Sequence, residues 1–137
     1  MSPIKLIALS SILAFSSSAL AQTVNTKELT KRFAPWQPTE IKAEKQDVFV
    51  AIPARSITPE DFDLIINSGV CASIWTKDAS PSYLAGVKNL HITNQFKAIG
   101  YTLEDPLQTC KAMGDLQPNA AKALMLSKTH LFSGKLN

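Results

Sequence analysis

His91 and His130 are the two histidines of the sequence, and histidine is the side chain best suited to proton transfer near neutral pH. Neither lies in a recognisable catalytic motif, because the sequence contains no nucleophile elbow, no glycine-rich phosphate loop and no His-Glu-x-x-His. Serines and aspartates occur at many distances from both histidines, so spacing selects no catalytic triad. We therefore assign no catalytic residue, and whether the protein is an enzyme stays open.

The acidic residues cluster where helices are expected to begin. Glu60, Asp61 and Asp63 follow one helix-start pattern, and Glu104 and Asp105 precede another. Carboxylates at these positions satisfy free backbone amides and interact favourably with the positive end of the helix dipole. This structural role explains both groups, and nothing in their spacing indicates an acid and base placed across a cleft.

Cys71 and Cys110 are the only cysteines of the chain. An even number of cysteines in an exported protein favours a disulfide over two buried free thiols or one reactive thiol. The absence of a Cys-x-x-Cys motif argues against a redox site, and two scattered histidines give no zinc-site spacing. We predict a Cys71–Cys110 disulfide, no metal site and no cofactor.

The amino-terminal segment has the three parts of a secretory signal peptide. Lys5 is followed by an apolar run broken only by serines, and Ala19-Leu20-Ala21 supplies the small side chains that signal peptidase requires. The alternatives are a membrane anchor or a buried helix, but the run is short and serine-rich for a hydrocarbon layer of about 30 Å. We predict a cleaved signal peptide at residues 1–21, no later membrane span, and a periplasmic or secreted protein.

The charge balance is close to neutral. The chain has 14 basic and 11 acidic residues, and the signal peptide carries only one of the basic ones. Nucleic-acid-binding proteins normally present a dense basic face, so this balance argues against a nucleic-acid partner. The partner that we expect is another envelope or secreted protein.

Residues 22–45 are polar and contain two prolines, which favours a flexible arm in front of the globular domain. Phe33 and Trp36 are the large apolar side chains of this arm. They either lie against the domain surface or anchor a partner protein, since aromatic residues beside basic ones are frequent at interfaces. We retain Phe33 and Trp36 as candidate partner-binding residues.

Residues 46–137 are predicted to form one globular domain. Thr58-Pro59 has the cap and proline typical of a helix start, and Asn67-Ser68-Gly69 favours the end of that helix. Residues 70–75 are then either a buried strand, which the stop at Gly69 favours, or a continuation of the helix. The other expected elements are a strand at 47–53, two strands or one bulged strand at 90–103 with a helix at 83–96 as the alternative, and helices at 106–114 and 118–128.

These patterns predict an α+β fold, a small single domain with a short mixed or antiparallel sheet, about three helices and one disulfide; an all-α domain is the alternative. The function expected from them is that of a non-enzymatic interaction or accessory protein of the cell envelope, such as an inhibitor, a neutralising partner or an assembly subunit. The alternative is a small secreted hydrolase or an apolar-ligand-binding module.

Overall fold

A computed structural model describes residues 24–134 of the chain, and the predicted signal peptide at residues 1–21 lies outside them. The fold is α+β, as predicted: a five-stranded mixed sheet with helices and one disulfide, in a small single domain. The strands lie in the order β1-β2-β3-β4-β5, and only the β2–β3 pair is parallel. Their bounds are β1 Glu40–Glu44, β2 Asp47–Ala51, β3 Asn89–Thr93, β4 Gly100–Glu104 and β5 Thr129–Phe132.

The helices are short, and most of them lie between β2 and β3 or between β4 and β5. A single 3-10 turn, Ala34–Trp36, follows the first helix, and a π-helical segment, Ile65–Cys71, joins the second helix to the third without a break. The α-helices are α1 Lys27–Arg32, α2 Pro59–Leu64, α3 Ala72–Trp75, α4 Pro106–Gly114 and α5 Pro118–Ser127.

One face of the sheet forms the core. Alternate side chains of a strand point to opposite faces, so the register places one apolar set on the side of the helices. The central members of this set are fully buried: Val48, Val50, Leu90, Ile92 and Leu103. The opposite face, which we call the open face, carries Phe49, His91, Thr102, His130 and Phe132 from four neighbouring strands.

The segment at 90–103 forms two strands, β3 and β4, and the change of phase in its apolar pattern falls at the turn between them. The interpretation of Gly69 as a helix stop is wrong, because the helical path continues from α2 through the π-helical segment into α3. Gly69 is needed there for packing: a Cβ atom at this position would lie 2.9 Å from Cζ3 of Trp36. Residues 70–75 are therefore helical.

The proposed arm at 22–45 is part of the fold over its described residues. β1 pairs with β2 along its whole length, and Leu29 of α1 is buried in the core. Prolines 35 and 38 do not prevent this packing, because Pro35 lies in the first part of the 3-10 turn, where its missing N–H group costs nothing. The boundary predicted at residue 45 falls in the two-residue connection of the β1–β2 hairpin.

The chain after α5 adds an element that the sequence pattern did not predict. Residues Thr129–Phe132 form β5, which pairs antiparallel with β4 at the end of the sheet. The strand is only four residues long. It is therefore too short to show the alternation of apolar and polar residues by which a strand is predicted from sequence. Its neighbour β4 supplies the pairing groups, so tertiary context decides its conformation.

Candidate functional site

A groove of about 600 Å³ lies between two helical layers. One wall comes from α2, the π-helical segment and α3, and the other from α4, α5 and the turn between them. Trp75 lies in the groove with Met113 and Gly114, and Leu116 and Lys122 stand on the side of α4 and α5. Apolar surface with a few polar groups is typical of a binding groove.

Trp75 is held in a fixed orientation. Its Nε1–H donates a hydrogen bond of 2.7 Å to the carbonyl oxygen of Cys110, while the side chain stays 39% exposed. Gly114 allows α4 to approach the indole closely, since a Cβ atom there would lie 2.8 Å from Cδ1 of Trp75. The indole is therefore a rigid apolar surface that needs little ordering when it is covered, which lowers the entropic cost of binding.

The predicted disulfide is present and connects the two walls. Cys71 ends the π-helical segment, Cys110 lies in α4, and their Cα atoms are 5.1 Å apart. Both cysteines are fully buried beside the core. Cys71 lies one helical turn before Trp75 in the chain, and the carbonyl oxygen of Cys110 accepts the hydrogen bond from the indole. The disulfide therefore fixes the separation of the walls next to the exposed indole.

Polar groups mark one side of the groove. Asn67 Nδ2 donates hydrogen bonds to the carbonyl oxygen and to Oδ1 of Asp63, at 2.8 and 3.0 Å. The other carboxylate oxygen of Asp63 lies 4.0 Å from Nζ of Lys122 across the groove. This pair is solvent-exposed, so its stabilising contribution is small, but it places one charge of each sign at the rim. The rim carries no net charge from this pair.

The two histidines lie on the open face of the sheet. Nδ1 of His91 lies 2.6 Å from Oγ1 of Thr102, and its ring stacks on Phe49 with 4.5 Å between centroids. Phe132 covers another side of the same ring, at 5.1 Å. His130 is exposed, and its Nδ1 lies 3.2 Å from Oε1 of Glu104.

Catalysis by His91 would need a reactive neighbour that a substrate can reach. Thr102 is the hydroxyl in contact with it, and Thr102 is fully buried. Nε2 of His91 has no hydrogen-bond partner and lies 3.8 Å from Oδ2 of Asp47, whose Oδ1 accepts a hydrogen bond from Asn89. Among the described residues, the hydroxyl beside the histidine ring is therefore not accessible to a substrate.

Acidification is expected to destabilise the protein through His91. Burial lowers the pKa of His91 below its ordinary value of 6.5, and this effect exceeds the opposite influence of the Asp47 carboxylate. The unfolded chain therefore binds a proton at higher pH than the folded chain does. The free energy of unfolding falls as the pH drops through about 6.5, and the fall ends below the folded-state pKa. Urea unfolding between about pH 7 and pH 5 measures this slope.

The comparison that isolates His91 uses two substitutions. In His91→Gln the titrating ring is gone, so the slope should become shallower whatever the variant's overall stability. His130→Gln changes the neighbouring exposed imidazole, which pairs with Glu104, and should leave most of the slope in place. Equal slopes in the wild type and in His91→Gln would contradict the prediction.

The candidate partner-binding residues lie elsewhere. Phe33 packs in the core beside Leu29 and is fully buried. It therefore presents no surface to a partner. Trp36 is partly buried, packs against that core and covers Gly69. The structure therefore brings Phe33 and Trp36 together, with ring centroids 6.0 Å apart, but inside the domain and not on an arm.

Sequence reasoning identified none of the groove residues as binding residues, and it assigned Asp63 only to the start of a helix. The groove residues come from segments at 63–75 and 113–122, and only the fold brings these segments together. The sequence features that could have indicated this region are Gly114 at the end of α4 and the apolar Leu116 shortly after it, which the structure shows to be 44% exposed.

Within residues 24–134, no group of three or more histidine, cysteine, aspartate or glutamate side chains is placed to hold a metal ion. The helices of this region are also too short or too polar to cross a membrane.

The fold class is that of a small single α+β domain with a five-stranded mixed sheet and one disulfide. Comparisons with protein-family models, with curated proteins and with solved structures gave no match for this chain.

Proposed function

We propose that this chain is an exported, non-enzymatic interaction protein of the cell envelope or exterior, and that the groove holds an apolar segment of a partner protein. The observation that carries the proposal is the rigid, partly exposed indole of Trp75 between two walls joined by a disulfide. Fixed tryptophans in partly desolvated grooves are enriched among residues that dominate binding energy.

Export is supported by the predicted signal peptide at residues 1–21 together with the Cys71–Cys110 bond, since structural disulfides persist in oxidising compartments. Binding is favoured over hydrolysis because His91 is covered by aromatic rings and its hydroxyl neighbour is buried. An apolar partner segment suits the groove better than a charged one, because the charges of Asp63 and Lys122 already face each other.

The test is capture of a partner by the protein without its signal peptide and with the disulfide intact. The purified protein is immobilised, incubated with an envelope extract, and the bound proteins are identified by mass spectrometry. Leu116→Asp introduces a charge at an exposed position of the groove and should weaken capture at least tenfold, because the charge would be desolvated by an apolar segment.

Phe96→Asp is the matched control, because Phe96 is 66% exposed and lies outside the groove. It should capture the partner as the wild type does. A direct measurement follows with the identified partner: in a Trp36→Phe background, Trp75 is the remaining tryptophan, and its emission should shift to the blue as the partner covers it. Capture that is lost in Phe96→Asp and kept in Leu116→Asp would place the partner on another surface.

A further inference from the structure

The two outer strands of the sheet differ in how their free edges are protected. β1 carries the charged side chains of Glu40, Lys42 and Glu44 on one face. β5, Thr129–Phe132, contains no lysine, arginine, aspartate or glutamate. Natural proteins protect exposed strand edges with charged residues, because an unprotected edge pairs readily with another strand. The composition of β5 therefore favours pairing of its free edge with another strand.

The backbone of β5 offers hydrogen-bonding groups on its outer side. The backbone N–H of Glu104 donates to the carbonyl oxygen of Lys128 at 2.8 Å, which sets the phase of the β4–β5 ladder. The direction of the backbone N–H and C=O groups alternates along an antiparallel strand. These groups of His130 and Phe132 therefore point towards β4, while those of Thr129 and Leu131 point away from the sheet. Among the described residues, no backbone group is bonded to the outward N–H and C=O of Leu131.

Leu131 is 74% exposed, the highest value among the exposed large apolar side chains of residues 24–134. It lies on the same sheet face as Tyr101, its partner in β4, which is the face that the helices cover further inward. At the sheet edge no described helix extends over it. A neighbouring strand would bury this apolar side chain and also form hydrogen bonds with the free backbone groups beside it. Both effects would stabilise the pairing.

We propose that β5 pairs antiparallel with β5 of a second copy of this chain, with a two-fold axis at Leu131. The two five-stranded sheets then form one continuous sheet. In this register Leu131 stands opposite the same residue of the second copy, and each buries the other. His130 stands opposite Phe132 of the second copy on the open face, which is a favourable cross-strand aromatic pair.

The register also avoids repulsion between like charges, which makes the strand complementary to itself. Lys128 stands opposite Gly134 of the second copy, not opposite another lysine, and Thr129 stands opposite Ser133. Because the interface is symmetric, every outward backbone donor meets an acceptor of the other copy. This self-complementarity favours a second copy over an unrelated extended segment, for which nothing in β5 selects a sequence.

The test is the mass of the protein in solution, measured by sedimentation velocity over a concentration series up to the millimolar range. The wild type is expected to show a concentration-dependent dimer. Leu131→Lys should be a monomer at all concentrations, because it places two charges opposite each other. Leu131→Pro should also be a monomer, since it removes only an outward N–H and leaves the bonds to β4 in place.

Leu64→Lys is the matched control: Leu64 is 56% exposed but belongs to α2, away from the sheet edge. This variant should dimerise as the wild type does, and thermal unfolding of each variant shows that it is folded. A wild type that stays monomeric overturns the proposal, as does loss of the dimer in Leu64→Lys. A monomeric wild type whose partner capture is lost in Leu131→Lys would assign the edge to a foreign strand.

The register has its own measurement. Leu131→Cys should form a disulfide-linked dimer on mild oxidation, because directly opposed residues of antiparallel strands lie within reach of a disulfide. Phe96→Cys is equally accessible to oxidant and should stay monomeric under the same conditions. A non-covalent dimer that Leu131→Cys fails to link overturns the two-fold axis at this residue. Leu116→Asp should leave the dimer intact, so the edge and the groove are tested separately.

Discussion

Replacing Phe33 with alanine is expected to lower the free energy of unfolding by about 3–5 kcal/mol, because truncation of a fully buried phenylalanine removes apolar contacts and leaves a cavity. The ring lies between Leu29 and Trp36 at the junction of α1 and the core. Urea unfolding followed by circular dichroism measures the change from the shift of the midpoint.

Phe96→Ala provides the comparison for this substitution. It removes the same side chain from a position that is 66% exposed, so the free energy of unfolding should change by no more than about 0.5 kcal/mol. If Phe33→Ala were as mild as Phe96→Ala, residues 24–39 would be an arm that is dispensable for stability, as the sequence pattern alone suggested.

Removal of the disulfide is expected to cost a similar amount. The bond closes a loop with a sequence separation of 39 residues, and the loss of this constraint on the unfolded chain corresponds to about 4 kcal/mol. Cys71→Ala combined with Cys110→Ala should lower the free energy of unfolding by that amount, which is measured from the fall of the urea midpoint. Reduction of the wild type with a thiol should approach the same value.

The double variant also serves as the control for the reductant, because a thiol should not alter its unfolding curve. An equal midpoint for the oxidised wild type and the double variant would contradict the prediction. The two substitutions should also affect Trp75, whose indole hydrogen bond is accepted by Cys110. A more mobile indole would be seen as lower anisotropy of its emission.

The sequence contained enough information for the elements that are set by local chemistry. At Thr58 the predicted cap forms in full: the backbone N–H of Asp61 donates to Oγ1 of Thr58 at 3.0 Å, and the carboxylate of Asp61 accepts from the backbone N–H of Thr58. Proline in the first turn identified α4 and α5 correctly as well. These signals depend only on neighbouring residues.

Features that depend on distant residues could not be read from the same patterns. Gly69 has the local chemistry of a helix end, but Trp36 occupies the space beside it and the helix continues. Residues 24–39 have the composition of a linker, yet Phe33 is buried by contacts with segments far along the chain. In both cases a side chain from another part of the sequence decides the outcome.

The candidate groove could not be predicted from the sequence for the same reason. Asp63, Trp75 and Lys122 have no common pattern in sequence, and their proximity follows from the packing of α4 and α5 against the α2–α3 segment. The disulfide was the one long-range contact that composition could predict, because only two cysteines were present to pair. That contact lies beside the groove, so the pairing indicated which two segments would meet, although a strand was expected for the segment of Cys71.

The parallel β2–β3 pair divides the sheet into two halves with different folding requirements. β1 and β2 are joined by two residues, and β3 and β4 by a short turn, so each of these two hairpins closes a small loop. Asp47 and Asn89, paired across the seam, are 42 residues apart in the chain. Loop-closure entropy rises with this separation, and slow folding is associated with such distant pairings. We therefore expect the hairpins to form first and the seam to join last, once the intervening helices have covered the apolar face.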